Sequence, residues 1–486
     1  SNATMFKKLQ GKYKNKMNKS SIPDVLRPTT RTTMSNVDIY TSVLEPINKT
    51  QTRVVWNLRQ TGILNAGSRI VMSVHPDNAT PQTSFLPLGC GIASCIETAT
   101  LRVGTRVIAQ TEHFSENYFA HRSVHTREQK RLIDMPLDGG CGEVSNSPNF
   151  DGKYAMDTGS AIYSNKTTAL VPTKYKPVVS QTDCPTYSIA LDDLFVMMRG
   201  LQLPLFCMEE VVSIELLLRQ QTNPATDKTL MFSAAPTSTS TSYGLDNFAL
   251  HIDYLQYDTA TMERVKSMVY SENGMPFIYD DVSTTTTQIP AVPQPADNST
   301  TRISIVREVG SAGLKVRNVL VMEKKSGVGN TLFGNYRSES PIHPPKYNWR
   351  YNNKIVYPRA VFNTSFMRSE TEQVLKFPMS VPNVMYSQDV ENEFYANKNG
   401  GQNLMFDAAT TMEGQSPQVL SGTYFITALN LEKGKNGLPT EIIHKNILYE
   451  RENTFSRNDY EARDLLFFVE HERSWMLRNG VLLVSA

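Results

Sequence analysis

From residue 52 onwards, apolar and polar residues alternate with a period of two, segment after segment. The stretch TRVVWNL (52–58) puts Val54, Trp56 and Leu58 on one face. SRIVMSV (68–74), IETATLRVGTRVIAQ (96–110), NFALHIDYLQYD (247–258), TRISIVREV (301–309) and VRNVLVME (316–323) follow the same rule. So do GTYFITALNL (422–431), HKNILYE (444–450) and DLLFFVEHERSWML (464–477). Successive side chains of a strand point to opposite faces, so this pattern in β-branched and aromatic residues predicts many half-buried strands and an all-β protein. Helical segments are short: DDLFVMMRG (192–200), with Asp as expected N-cap and Gly200 as stop, SENYFAHRSVHTREQKRLI (115–133), TATMERVKSMV (259–269) and SFMRSETEQVLK (365–376).

The segment LQLPLFCMEEVVSIELLLRQ (201–220) poses a packing problem. Val212, Ile214, Leu216 and Leu218 share one face of a strand, and Ser213, Glu215 and Leu217 share the other. Pro204 precedes the strand, where its missing N–H costs no ladder bond. A strand apolar on one face and mixed on the other is expected in a two-sheet sandwich whose outer face is covered by a second domain or subunit.

The pattern occurs twice. TRVVWNLRQTG (52–62) resembles TRISIVREVG (301–310), and each half later contains a helical piece, NYFAHRSVHTREQ (117–129) and TSFMRSETEQ (364–373). Each half is expected to close on paired strands, 211–220 with 247–258 and 441–450 with 464–484. A spacing of about 250 residues is far beyond solenoid repeats and suits one large β domain made twice. APTSTSTSYG (235–244) and STTTTQIPAVPQPADNSTT (283–301) are too polar to supply a core and are expected as long surface loops.

Charge is unevenly placed. The net formal charge is +2, yet residues 5–19 carry Lys7, Lys8, Lys12, Lys14, Lys16 and Lys19 and no acid. Such an arm either solubilises the chain or neutralises phosphate, because lysines near a polyanion release its counterions. It carries no means of reading sequence. The leading Ser-Asn-Ala triplet has the look of an expression-tag remnant. Cys90, Cys141, Cys184, Cys207 and Cys95 are odd in number and form no CxxC, which predicts free thiols and a reducing compartment. No apolar run is long enough for a transmembrane helix, and no signal-peptide core is expected at the N-terminus.

Catalytic and metal-binding patterns are absent from the sequence. KKSGVGNT (324–331) lacks the order of a phosphate-binding loop, and GSAG (310–313) reads as a turn. His121 and His125 have helical spacing, with His113 before them, but Arg122 stands where a zinc protease has glutamate. Cys141 sits between glycines without a recognisable partner. Asp192 with Asp193, and Glu209 with Glu210, border the helix and strand of the 201–220 region; capping and the helix dipole explain the aspartates, and a glycosidase pair is the alternative, since separation in space is not read from sequence. Trp56, Trp349 and Trp475 are expected in cores. No catalytic residue, cofactor or metal is expected, and the chain is not expected to be an enzyme.

The order of strand, short helix, LPLFCMEEVVSIELLLR and FALHIDYLQYD resembles the closing strands of a first jelly roll in the double jelly-roll major capsid proteins of double-stranded DNA viruses, nearest the virophage and polinton-like lineage. YNWRYNNKIVYPRAV (347–361), SGTYFITALNL (421–431) and DLLFFVEHERSWMLRNGVLLV (464–484) resemble the matching parts of a second. The likeness runs from about residue 36 to the last expected strand; some members carry a further C-terminal region. It implies two tandem eight-stranded antiparallel jelly rolls with a few short helices in loops: a basic arm over 1–35, a first roll over 36–260, a linker helix over 261–275 and a second roll over 276–486. It also implies homotrimers that form pseudo-hexameric capsomers of an icosahedral shell. The expected partners are neighbouring capsomers, penton and minor or cement proteins, with the lysine arm in weak, non-specific contact with genomic DNA. The expected location is the virion, made and assembled inside the host cell. A carbohydrate-binding or carbohydrate-active β-sandwich is the alternative.

Overall fold

The computed structural model describes residues 37–76, 84–85, 91–123, 186–199, 201–219, 232–233, 243–291, 300–325, 346–351, 354–356, 361–362, 374, 426–431, 446–456 and 462–484. The chain is all-β, with two jelly rolls in tandem. The first roll comprises β1 (Asp38–Leu44), β2 (Arg53–Asn57), β3 (Arg69–Pro76), β4 (Ile96–Val103), β5 (Arg106–Glu112), β6 (Thr186–Ala190), β7 (Val212–Leu218) and β8 (Tyr243–Gln256). Its two antiparallel sheets have the orders β1-β8-β3-β6 and β2-β7-β4-β5. The second comprises β9 (Met275–Ile289), β10 (Thr300–Val309), β11 (Lys315–Lys325), β12 (Lys346–Tyr351), β13 (Lys354–Ile355), β14 (Ile426–Asn430), β15 (Ile447–Ser456) and β16 (Arg463–Arg478). Its orders are β9-β16-β11-β14 and β10-β15-β12-β13. Each strand of the second roll thus holds the place of the strand eight before it, so the likeness between 52–62 and 301–310 falls on corresponding strands, β2 and β10.

Two expectations about pairing are corrected. Strand β7 hydrogen-bonds to β2 and β4, not to β8, and β15 bonds to β10 and β12, not to β16. In each case the two strands expected to pair lie in opposite sheets of one sandwich, facing each other through their side chains. Alternation reports which face is buried and carries no information on which strand is the neighbour. The threonine-rich segment is also corrected: Ser283–Ile289 is strand, continuous with β9 and paired in register with Arg463–Val469. Threonine is β-branched and fits an extended backbone, and the long β16 supplies a partner throughout. Residues 292–299 lie outside the described residues.

The cores are separate inside the rolls. In the first, Trp56, Leu101, Ile214, Leu216, Leu250 and Ile252 meet between the sheets, and the Trp56 ring lies 6.2 Å from Phe248. In the second, the Tyr449 ring meets Trp349 tilted at 4.9 Å and Phe467 edge-to-face at 5.7 Å, with Val319, Val321 and Val469 around them.

Among the described residues, three α-helices connect these parts: α1 (Phe114–Ser123), α2 (Leu191–Leu194) and α3 (Thr259–Val269). The helix expected over 259–269 is present with those bounds, whereas the linker helix drawn over 261–275 is too long, since residues 270–274 turn and β9 begins at Met275. The helix expected from Asp192 starts instead at Leu191 and lasts one turn, followed by a tight turn at Val196–Arg199. Ala190 takes the N-cap place, and Asp192 and Asp193 lie in the first turn, where they face the positive end of the backbone dipoles without capping by side chain. Residues 124–133 and most of 365–376 lie outside the described residues. After β16, Asn479 (φ 49°) and Gly480 (φ 75°) make a two-residue turn into a short strand, Val481–Val484. Positive φ at both central positions is what Asn-Gly supplies at least cost.

Candidate functional site

The strand that raised the packing problem, β7, is covered differently from expectation. Its apolar face, Val212, Ile214, Leu216 and Leu218, is buried in the first core. On the outer face Leu217 is exposed, and Glu215 is buried by its neighbours in the same sheet. Arg53 of β2 reaches Glu215 at 2.6 Å and Arg102 of β4 reaches it at 3.1 Å. Two arginines from flanking strands thus cover the mixed face with their stems and neutralise its carboxylate.

The strand hidden on both sides is β16. Leu465, Phe467 and Val469 enter the second core, while Leu466 and Phe468, on the opposite face, join the apolar cluster of the first roll. A continuous apolar run, LLFFV, is what double-sided burial requires.

This docking forms a seam between β5, the edge of one first-roll sheet, and β9, the edge of a second-roll sheet. An edge strand presents unpaired N–H and C=O groups, and burying them unsatisfied is costly. Side chains of β9 supply the partners. The Tyr279 hydroxyl donates to the Ile108 carbonyl at 2.7 Å, and Thr284 donates to the Glu112 carbonyl at 3.3 Å. Between them the backbone N–H of Gln110 donates to the Asp281 carboxylate. Alternate residues of one edge therefore find side-chain partners on the other. Further along, Thr286 contacts His113 at 3.4 Å. At the opposite end Arg106 donates to the Leu482 carbonyl, the Glu209 N–H donates to Gly480 at 2.9 Å, and the Asn479 N–H donates to Val269 at 3.0 Å. The closing hairpin is thereby held to α3 and to the first roll.

The seam carries a buried charge system. Arg473 donates to Asp281 at 2.7 Å. Burial holds the Asp281 carboxyl above its ordinary value against the pull of Arg473 and of the backbone donors. His471, paired across the ladder with Asp281, shares a 2.8 Å hydrogen bond with Ser283. Burial, helped by the nearby Arg473 cation, pushes the imidazole down to about 4, so it is neutral at pH 7. Burial raises the Tyr279 hydroxyl, keeping it a donor. A cavity of about 20 Å3 lies beside this system, lined by Asn117, His121 and Arg199 from one roll and Val282, Asn318 and Glu470 from the other. It has the size of one water molecule.

Tyr279, Asp281, Ser283, His471 and Arg473 of this seam did not stand out in the sequence. Their signal was the charge in two otherwise apolar strands, FIYDDV (277–282) and VEHERSW (469–475). The residues singled out from the sequence are scattered. Trp56 and Trp349 are buried in separate cores and Trp475 is buried at the seam. His113 lies 3.4 Å from Glu97, in a network where Arg219 reaches Glu97 and Glu116 at 2.7 Å each. His121 is on α1, and His125 lies outside the described residues. Cys95 and Cys207 are buried thiols outside any disulfide, and burial pushes the Cys207 thiol up to about 11, which keeps it protonated and unreactive. Cys90, Cys141 and Cys184, the 324–331 glycine segment beyond Lys325, and Lys7, Lys8, Lys12, Lys14, Lys16 and Lys19 lie outside the described residues. Gly310–Gly313 joins β10 to β11 as a turn. Among the described residues no three His, Cys, Asp or Glu side chains gather where a metal could bind, and no helix is long and apolar enough to cross a membrane.

Two rolls of one topology, joined by a helix and docked edge to edge, define a double jelly-roll protein. The same architecture is found in solved viral capsid structures. PBCV-1 VP54, fitted into a reconstruction of the virophage Sputnik, has a TM-score of 0.55 at 10% identity, covering 93% of this chain and 97% of that one. A PBCV-1 capsid chain has a TM-score of 0.53 at 11% identity, with the same coverage of 93% and 97%. The mavirus major capsid protein has a TM-score of 0.51 at 9% identity, covering 92% and 90%. No family model and no curated relative matches the sequence.

Proposed function

We propose that this chain is the major capsid protein of a double-stranded DNA virus related to the virophage and polinton-like lineage. The observation that carries the proposal is the docked duplication: two rolls with the same strand order, fused through a buried seam, over a span that matches whole capsid chains. The role is structural, with no catalysis. Three copies, each supplying two rolls, form a pseudo-hexameric capsomer, and capsomers tile an icosahedral facet. The partners are sister copies, neighbouring capsomers, and penton and minor or cement proteins. The protein is made and assembled in the host cell and resides in the virion. The arm carrying Lys7, Lys8, Lys12, Lys14, Lys16 and Lys19 faces the genome and binds DNA weakly, without sequence preference. No feature of the topology favours the carbohydrate-binding alternative.

Size-exclusion chromatography with light scattering is the test. The expected particle contains three chains, with a hexagonal outline in electron micrographs. A monomer that persists at high concentration would refute the capsomer. Deleting residues 5–20 is expected to leave the particle intact and to weaken salt-dependent DNA binding.

A further inference from the structure

We propose that the cavity at the seam is a binding site for one water molecule, which donates one hydrogen to Asn117 of the first roll and the other to Asn318 of the second and so cross-links the two rolls. The site lies within one chain and needs no second copy, so it holds or fails independently of the trimer.

The two asparagines reach the cavity from different rolls. Asn117 belongs to α1, within a stretch, 114–120, that is buried throughout, and Asn318 belongs to β11. They are 4% and 2% exposed, and both line the cavity of about 20 Å3. Among the described residues, neither amide oxygen has a hydrogen-bond partner. The Asn318 amide nitrogen donates to Glu470 at 3.1 Å, which leaves the oxygen of that amide as the group still to be satisfied. A buried acceptor without a donor is costly, and one such oxygen from each roll calls for a ligand with two donors.

The duplication shows that this polarity runs against the packing trend. Arg69 opens β3 opposite His251, and Lys315 opens β11 opposite Glu472. The third pair from each start is Val71 with Ala249 in the first roll and Asn318 with Glu470 in the second. Val71 and Ala249 are half-buried, whereas Asn318 is covered by the docked roll. The second roll thus sets polar groups where docking buries the position, and the first sets apolar groups where nothing docks. Burying an amide is favourable only when its hydrogen bonds are made. A bulge brings Asn318 to that place: Arg317 is left out of the ladder to β16, and its guanidinium reaches Asp280 at 2.8 Å and Glu472 at 3.3 Å. The lining selects water over a cation. Arg199 beside the space disfavours a metal ion, and two amide oxygens with the Glu470 carboxylate fall short of the roughly six oxygens that a hard cation takes. Water fits the volume and supplies both donors.

The experiment is a density map of the purified full-length protein, sharp enough to show ordered water. One peak is expected in the cavity, about 2.6–3.0 Å from each asparagine oxygen. A cavity without a peak, or asparagines turned to other partners, overturns the proposal. So does a peak held at about 2.0–2.5 Å by five or more oxygens, which is a metal ion. A mutant cycle in denaturant unfolding gives a second readout. Asn117→Leu is expected to raise the unfolding equilibrium constant about tenfold when Asn318 is present, because the water then loses one anchor and Asn318 its donor. In the background of Asn318→Leu the same change is expected to raise it about threefold or less. The Asn318 bond to Glu470 is missing from both members of that second comparison and so cancels. Equal effects in the two backgrounds would mean that the asparagines share no bound molecule, and the proposal fails. If a variant does not fold, the map of the unmodified chain decides.

Discussion

Strands β8 and β16 occupy the same place in their rolls, second in the strand order of their sheets, and are written differently. In β8, Phe248, Leu250, Ile252 and Tyr254 are buried while His251 is exposed and Asp253 half-buried. In β16 the five residues from Leu465 to Val469 are all buried. One sheet has water on its outer face, and the other has a jelly roll. Whether a strand alternates or runs continuously apolar therefore records what lies beyond the sheet, not where the strand sits in the topology.

The comparison can be broken most directly at Phe468. Truncation to Ala removes a ring from the inter-roll face without touching the second core, and is expected to cost about 3–5 kcal/mol in denaturant unfolding. Leu217→Ala, on the outer face of β7, is expected to stay within about 0.5 kcal/mol. Equal costs would mean that the seam is not the packed interface described.

Next in size is a pH effect. The folded imidazole of His471, at about 4, lies below the ordinary 6.5, so between those values the unfolded chain binds the extra proton. Stability is full above pH 6.5 and falls as pH drops towards 4, by up to about 3 kcal/mol. Asp281, opposite it on β9, has the reverse sign, because burial raises its carboxyl above 3.8 and favours the folded state as protons are added. His471→Gln, which keeps a polar group for Ser283, is expected to flatten the slope between pH 4 and 6.5 in thermal unfolding. An unchanged slope would show that other groups carry it.

The smallest effect sharpens the edge-capping account. Tyr279→Phe leaves the Ile108 carbonyl without its donor and is expected to cost about 1–2 kcal/mol. Faster hydrogen exchange should be confined to β5 and β9; uniform loss across both rolls would mean that the hydroxyl is not a local cap.

Much of the fold was legible because alternation and turn residues are local signals. The inner face of β7, the bounds of α3 and the correspondence of 52–62 with 301–310 could be read directly. The covering of Glu215 could not, since Arg53 and Arg102 come from strands distant in sequence. Nor could the extension of β9 through Thr284–Thr287, which composition assigns to a loop and pairing with β16 makes a strand.

By itself the sequence determined the all-β class, the duplication and which face of most strands turns inward, because these follow from side-chain period and backbone preference along a few residues. Only the tertiary structure decided which strands are neighbours, that the two rolls meet through β5 and β9, and that a tyrosine, an aspartate and a threonine close that edge. Those outcomes depend on groups far apart in the chain competing for the same buried surface and the same unpaired backbone groups, and no local pattern encodes the winner.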